Sequence, residues 1–189
     1  MKYPKIFAHR GLSSKAPENT MAAFEKALEY DIDGVELDVQ MTKDNRLVVI
    51  HDERLERTTN GKGFVKDYTY SELKAFDAGE WFSHKYSGEK IPLLEEVLDL
   101  YTNKEVLINI ELKNSVFEYA GLENSVLNLV KNLGIKERTI ISSFNHYSLR
   151  KIRGMDTSIE IAILCEAILY APLNYLNSIG ANAIHTSMG

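Results

Sequence analysis

The chain has 189 residues, with 22 Lys and Arg against 27 Asp and Glu, a formal net charge of −5. Its balance of 44% apolar and 26% charged residues excludes disorder, the lack of a basic patch speaks against nucleic acid as a partner, and no apolar run approaches the roughly eighteen residues of a spanning helix, which excludes stable membrane insertion. One cysteine, Cys165, rules out an intramolecular disulfide; with no signal-like run after MKYPKIFAHRG, it places the protein in a reducing compartment, the cytoplasm.

KIFA (5–8) reads as the first strand, and TMAAFEKALEY (20–30) as a helix with Thr20 as N-cap. GVELDV (34–39) and LVVIH (47–51) are the second and third strands, and a polar, aromatic segment runs over 52–90. PLLEEVLDLY (92–101) is a helix with Pro92 in its first position. VLINIEL (106–112) is a strand, after which Ser115 and Glu118 form a capping box ahead of a helix bearing Leu122, Val126, Leu129, Val130 and Leu133, with Gly134 as its C-cap. TIISSF (139–144), a helix around Leu149 and Ile152, IEIAIL (159–164), a helix around Leu173 to Leu176, and NAIH (182–185) follow.

Seven strands alternating with helices indicate βαβ units and a parallel sheet in a single α/β domain over 1–189. The alternation alone leaves both an eight-stranded barrel and an open doubly wound sheet in play. His9, Glu36, Asp38, His51 and Glu111 each fall at or near the C-terminal end of a strand or beside it, and barrels draw their chemistry from several strands at that rim.

Glu36 and Asp38 are two apart on a strand and share a face. Inside a barrel two unpaired carboxylates would cost several kcal/mol or lose their charge. A divalent cation resolves the conflict, and with Glu111 as a third carboxylate the donor set suits hard Mg2+ or Ca2+ rather than zinc. The plain alternative is a solvent-facing acidic edge, or pairing with Lys or Arg. His9 and His51 are suited to proton exchange near neutral pH. A hairpin centred on Asp44 and Asn45 would set residue 38 opposite residue 51, and a short parallel crossover would put both on one rim. Lys113 shares a face with Glu111; Arg10 starts on the face opposite His9 unless the loop turns it back. Two cations beside a metal point to a phosphate or carboxylate ligand; the plain alternative is that Lys113 simply neutralises Glu111. Metal, two imidazoles and two cations together suit transfer at a phosphate ester.

The runs His9-Arg10-Gly11, Pro17-Glu18-Asn19-Thr20, Glu36-Leu37-Asp38-Val39, His51-Asp52, Arg57-Thr58-Thr59-Asn60-Gly61, Asp77-Ala78-Gly79 and Glu111-Leu112-Lys113 resemble, in order and spacing, the glycerophosphodiester phosphodiesterase family. The resemblance implies a TIM-type (β/α)8 barrel with a small inserted subdomain after the third strand, residues 53–90. It implies hydrolysis of glycerophosphodiesters to glycerol 3-phosphate and an alcohol. By the same resemblance Glu36, Asp38 and Glu111 bind a divalent cation, His9 and His51 act as general acid and base, Arg10 and Lys113 contact the phosphate, and Glu18 shapes the site. The glycerol 2-hydroxyl is then the first nucleophile, with a cyclic phosphate opened by water; a tethered hydroxyl has a high effective molarity. His9 is taken as the base and His51 as the acid of the first step. Members usually carry an eighth strand with a Trp-Thr-Val-Asn-like segment; this sequence stops after its seventh, so the barrel is expected to be C-terminally incomplete and the chain a fragment.

Two other readings use the same residues: a lysophospholipase D-like enzyme, and a non-catalytic module that binds glycerophosphate or metal. Elsewhere, His84 and His146 are expected to be solvated, His185 to be a rim residue, Cys165 to be a small buried residue, and Trp81, Phe82 and Tyr86 to form the core of the insertion.

Overall fold

In the computed structural model, which describes residues 3–186, the chain opens with β1 (Phe7–Ala8), α1 (Met21–Ala27), β2 (Gly34–Met41) and β3 (Leu47–Val49). Residues 53–90 contribute only a one-turn helix, α2 (Tyr70–Leu73), and two 3-10 turns. Then come α3 (Leu94–Tyr101), β4 (Leu107–Leu112), α4 (Leu122–Asn132), β5 (Thr139–Ser143), α5 (His146–Met155), β6 (Glu160–Leu164), α6 (Pro172–Ile179) and β7 (Ala183–His185).

All seven expected strands are present in one sheet, ordered β1-β2-β4-β5-β6-β7, with β3 attached to β2 off that path. Six of them run parallel. The third does not: β3 folds back antiparallel on β2, Val39 opposite Val49. The open question of hairpin or crossover is therefore answered by a hairpin, with Asn45 in the left-handed region at φ 59° and the Thr42 hydroxyl donating to Asp44 at 2.6 Å. Its register is one residue off the expected one, since the Ile50 N–H, not that of His51, meets the Asp38 carbonyl at 3.0 Å. The parallel strands, with helices between them, are staves of an α/β barrel that is incomplete: β1 and β7 end the order.

Every residue of β2 is buried. Val35, Leu37 and Val39 join Phe24, Leu98, Ile108, Ile110 and Val126 in the main apolar core, and the alternate positions Glu36, Asp38 and Gln40 present polar groups on the opposite face. A strand buried on both faces fits the interior of a parallel sheet. Leu55, Val65, Tyr70, Leu73, Ala78 and Ile91 form a second cluster with Val48 and Ile50 of the hairpin arm, so the segment after β3 is seated on it.

Local signals held unevenly. Thr20 caps α1, its hydroxyl accepting from the Ala23 N–H at 3.4 Å. Gly134 follows α4 at φ 66°. Pro92 lies outside its helix, which begins at Leu94 with the Glu96 carboxylate accepting from the Leu93 N–H at 2.8 Å. The Ser115–Glu118 box does not form; α4 starts at Leu122 behind Gly121 at φ 83°. Trp81, Phe82 and Tyr86 are not the insertion's core: they make an edge-to-face ladder on its surface, with Trp81 42% exposed and the Tyr86 hydroxyl donating to the Lys15 carbonyl at 2.7 Å. His146 is not simply solvated, because its ring nitrogens meet the Tyr175 hydroxyl and the Leu164 carbonyl at 2.7 and 2.8 Å. Cys165 is half-buried, its thiol donating to the Ala167 carbonyl. No described helix is long and apolar enough to cross a membrane.

Candidate active site

β1 delivers His9 and Arg10 and then turns through two left-handed residues, Arg10 at φ 54° and Gly11 at φ 72°. A side chain at Gly11 would lie 2.7 Å from the Ala23 backbone, so only glycine lets the turn press against α1. This turn reverses Arg10, whose backbone N–H donates to Glu36 Oε2 at 2.9 Å and whose guanidinium Nε sits 3.4 Å from Asp38 Oδ2. His9 Nε2 lies 3.7 Å from the same Glu36 oxygen. Burial and the neighbouring Arg10 cation lower the His9 pKa, outweighing the pull of Asp38.

Glu36 and Asp38 on β2 and Glu111 on the adjacent β4 each bring an oxygen within 4.8 Å of the others. The register pairs Asp38 directly with Glu111. Burial, then repulsion from Asp38, raises the Glu36 pKa well above its usual value; the same two causes raise that of Glu111, against the opposing charge of Lys113. Each carboxylate gives one oxygen to a protein donor: Glu36 to the Arg10 N–H, Asp38 to the Asn19 amide at 2.8 Å, Glu111 to Lys113 Nζ at 2.9 Å. The second oxygen of Asp38 is buried with no hydrogen-bond partner among the described residues. Three hard oxygen donors with a buried, unsatisfied lone pair fit a divalent cation.

His51 follows the hairpin arm. Its Nε2 lies 3.2 Å from Lys113 Nζ and its Nδ1 2.6 Å from Asp52 Oδ1. Arg57, from the inserted stretch, donates Nε to Asp52 Oδ2 at 2.5 Å and an NH2 group to Oδ1 at 3.0 Å. It also grips Glu18 at 2.9 and 2.7 Å, and Glu18 accepts from Arg10 at 2.8 Å. The structure thus brings together the eight residues expected at the site from the sequence: His9, Arg10, Glu18, Glu36, Asp38, His51, Glu111 and Lys113.

The sequence matches the family model described as the glycerophosphoryl diester phosphodiesterase family over residues 9–188. The chain belongs to that family. It is 53% identical to an uncharacterized Bacillus subtilis protein, YqiK, over 96% of this chain and 74% of that one, and 48% identical to a glycerophosphodiester phosphodiesterase from Caldanaerobacter subterraneus over 95% and 74%. Among solved structures it is similar to a phosphodiesterase from Oleispira antarctica in complex with the product sn-glycerol-3-phosphate, with a TM-score of 0.82, 32% identity, and 97% of this chain and 74% of that one covered. Membership in the family makes the chain a phosphodiesterase on the TIM-barrel fold, spanning about three quarters of the length of these relatives.

Four contributors to this site, Asn19, Gln40, Asp52 and Arg57, have no role that the sequence alone assigns. Asn19, left-handed at φ 57°, fixes Asp38. Gln40, fully buried, donates its amide toward the carbonyls of Ile50, His51 and Asp52, with the closest at 2.6 Å, and accepts from the Tyr119 hydroxyl at 2.9 Å. Asn19, Asp52 and Arg57 stand in the sequence only as members of the family motifs. The available signal was a polar residue at the next inward position of β2, and an Arg five residues from the His-Asp pair.

Proposed function

We propose that this chain hydrolyses glycerophosphodiesters to glycerol 3-phosphate and an alcohol, with Glu36, Asp38 and Glu111 holding Mg2+ or Ca2+ and with His9 and His51 as the acid–base pair. The observation that carries the reading is the three-carboxylate cluster with its orphaned Asp38 oxygen, flanked by both imidazoles. Such a cation supplies positive charge that draws electron density from a phosphoryl oxygen. Arg10 and Lys113 bind the phosphate oxygens, and Glu18 holds the Arg10 fork. One histidine takes the proton from the attacking glycerol 2-hydroxyl while the other gives one to the leaving alcohol oxygen; water then opens the resulting cyclic phosphate, the two histidines exchanging roles, to leave glycerol 3-phosphate. The product named for the Oleispira antarctica structure supports the same substrate class. Soluble diesters are the expected substrates, encountered in the cytoplasm.

The test incubates the folded chain with glycerophosphocholine and Mg2+ or Ca2+ and assays glycerol 3-phosphate. Product that disappears with chelator is the expected result. Product from lysolipid alone would move the reading to a lysophospholipase D-like enzyme. No product from either, with metal bound, would leave a binding module.

A further inference from the structure

We infer that Arg57 and Asp52 form a clamp that fixes the ring of His51, making the inserted stretch a positioning element of the reaction rather than a passive attachment; this rests on the acid–base reading of His51 given above. Lys113 has only donors on its ammonium, so the His51 Nε2 that lies 3.2 Å from it accepts. The neutral ring therefore carries its proton on Nδ1, which faces Asp52 Oδ1 at 2.6 Å. Asp52 accepts from Nδ1 whether the ring is neutral or protonated. The exchangeable proton of His51 is thereby confined to Nε2, the nitrogen on the side of Lys113 and the acidic cluster.

A carboxylate next to its histidine in sequence could swing away, and Arg57 prevents this. Its Nε and one NH2 group hold both oxygens of Asp52, while NH1 and NH2 hold both oxygens of Glu18. Glu18 in turn takes Arg10 NH1 at 2.8 Å. A planar fork meeting two carboxylates fixes orientation as well as charge, which a lysine in its place would not. Burial opposes ionisation of Asp52, but the hydrogen bonds from Arg57 and His51 bring its pKa down to about 2. The acceptor is therefore ionised throughout the working range.

The experiment compares Arg57→Ala, Arg57→Lys and Asp52→Asn with the wild type, by steady-state kinetics and by nitrogen NMR of the full chain with 15N-labelled histidine, the His51 signals being identified by their loss in His51→Gln. Arg57→Ala is expected to lower kcat about 10- to 100-fold, the usual cost of losing an outer partner, with KM changed less than about 3-fold, and to mix the two ring tautomers. Arg57→Lys should recover part of the rate. In Asp52→Asn the amide oxygen stays with Arg57 and the amide NH2 faces Nδ1. The proton should move to Nε2, with a loss of kcat up to about 10^4-fold, as when the same swap imposes the wrong tautomer in a catalytic triad. If both Arg57→Ala and Asp52→Asn retain the Nδ1-protonated ring, the clamp is overturned, even where kcat falls; where His51→Ala itself lowers turnover, wild-type kcat in both variants overturns it as well. His51→Ala separates the two levels. Turnover surviving that change removes the acid–base reading, while the ring signals still decide the clamp on their own, as they do if the chain shows no turnover.

Discussion

Two halves of the site use the same residue types to opposite ends. Around Glu36, Asp38 and Glu111, negative charge exceeds its protein partners: burial and mutual repulsion push the carboxyls of Glu36 and Glu111 up. Around Glu18, Arg57 and Asp52, charges alternate. There burial is overcome by hydrogen bonds from Arg57 and Arg10, which pull Glu18 down, and Asp52 is held at about 2. The first half is electrostatically unfinished and calls for a cation from outside; the second is closed on itself and serves to hold geometry. Proximity of charged residues says little by itself; what separates the halves is whether the signs alternate.

The comparison breaks most visibly at the histidines that join its halves. His9→Ala and His51→Ala should each lower turnover by about 10^2- to 10^4-fold while far-ultraviolet circular dichroism stays that of the wild type; a near-wild-type rate for His9→Ala removes its proton-transfer role. Next come the acids. Glu36→Gln or Asp38→Asn should weaken cation affinity measured by calorimetry. It should also abolish a rise in melting temperature that in the wild type corresponds to about 2.7 kcal/mol at a cation concentration a hundredfold above Kd. Without cation the same variants should melt no lower than wild type, because a repelling charge has gone; a marked loss of stability in chelator would show that these carboxylates are already satisfied.

The smallest effect is in pH. Glu36 and Glu111 have raised folded-state values, so the stability they confer is full below the ordinary carboxyl value of 4.5 and is lost as pH rises through the raised one. Asp52 works the other way: its contribution is present above 3.8 and is lost as pH falls toward about 2. Chelated protein should therefore lose melting temperature as pH rises above the ordinary carboxyl value of 4.5, with Mg2+ or Ca2+ restoring it. A flat or rising profile in chelator would contradict this account of the acidic half.

Much of this was legible in the sequence because it repeats at short range. The alternation on β2 put Glu36 and Asp38 on one face, and strand ends located His9, His51 and Glu111. The direction of β3 was not legible, since a short apolar run such as LVVIH pairs either way and only the turn at Asn45 decides. The false capping box at Ser115 has a similar origin. Residues 113–121 are held by contacts distant in sequence, such as the Tyr119 hydroxyl on Gln40 and the Asn114 amide on Ser148, which override the local pattern. Arg57 reaches Glu18 across 39 positions, and nothing in its neighbourhood announces where its fork will land. Trp81 and Phe82 read as core by composition, but the hairpin arm already fills the insertion's apolar cluster with Val48 and Ile50.

Gln40 sits two positions beyond Asp38 and spends its amide on the chain that presents His51. Glutamate there would match it almost atom for atom in size, yet it would aim a negative oxygen at carbonyls that can only repel it. At this position mere resemblance of shape offers no safety: one nitrogen exchanged for one oxygen would unfasten the turn that delivers an imidazole to the barrel mouth.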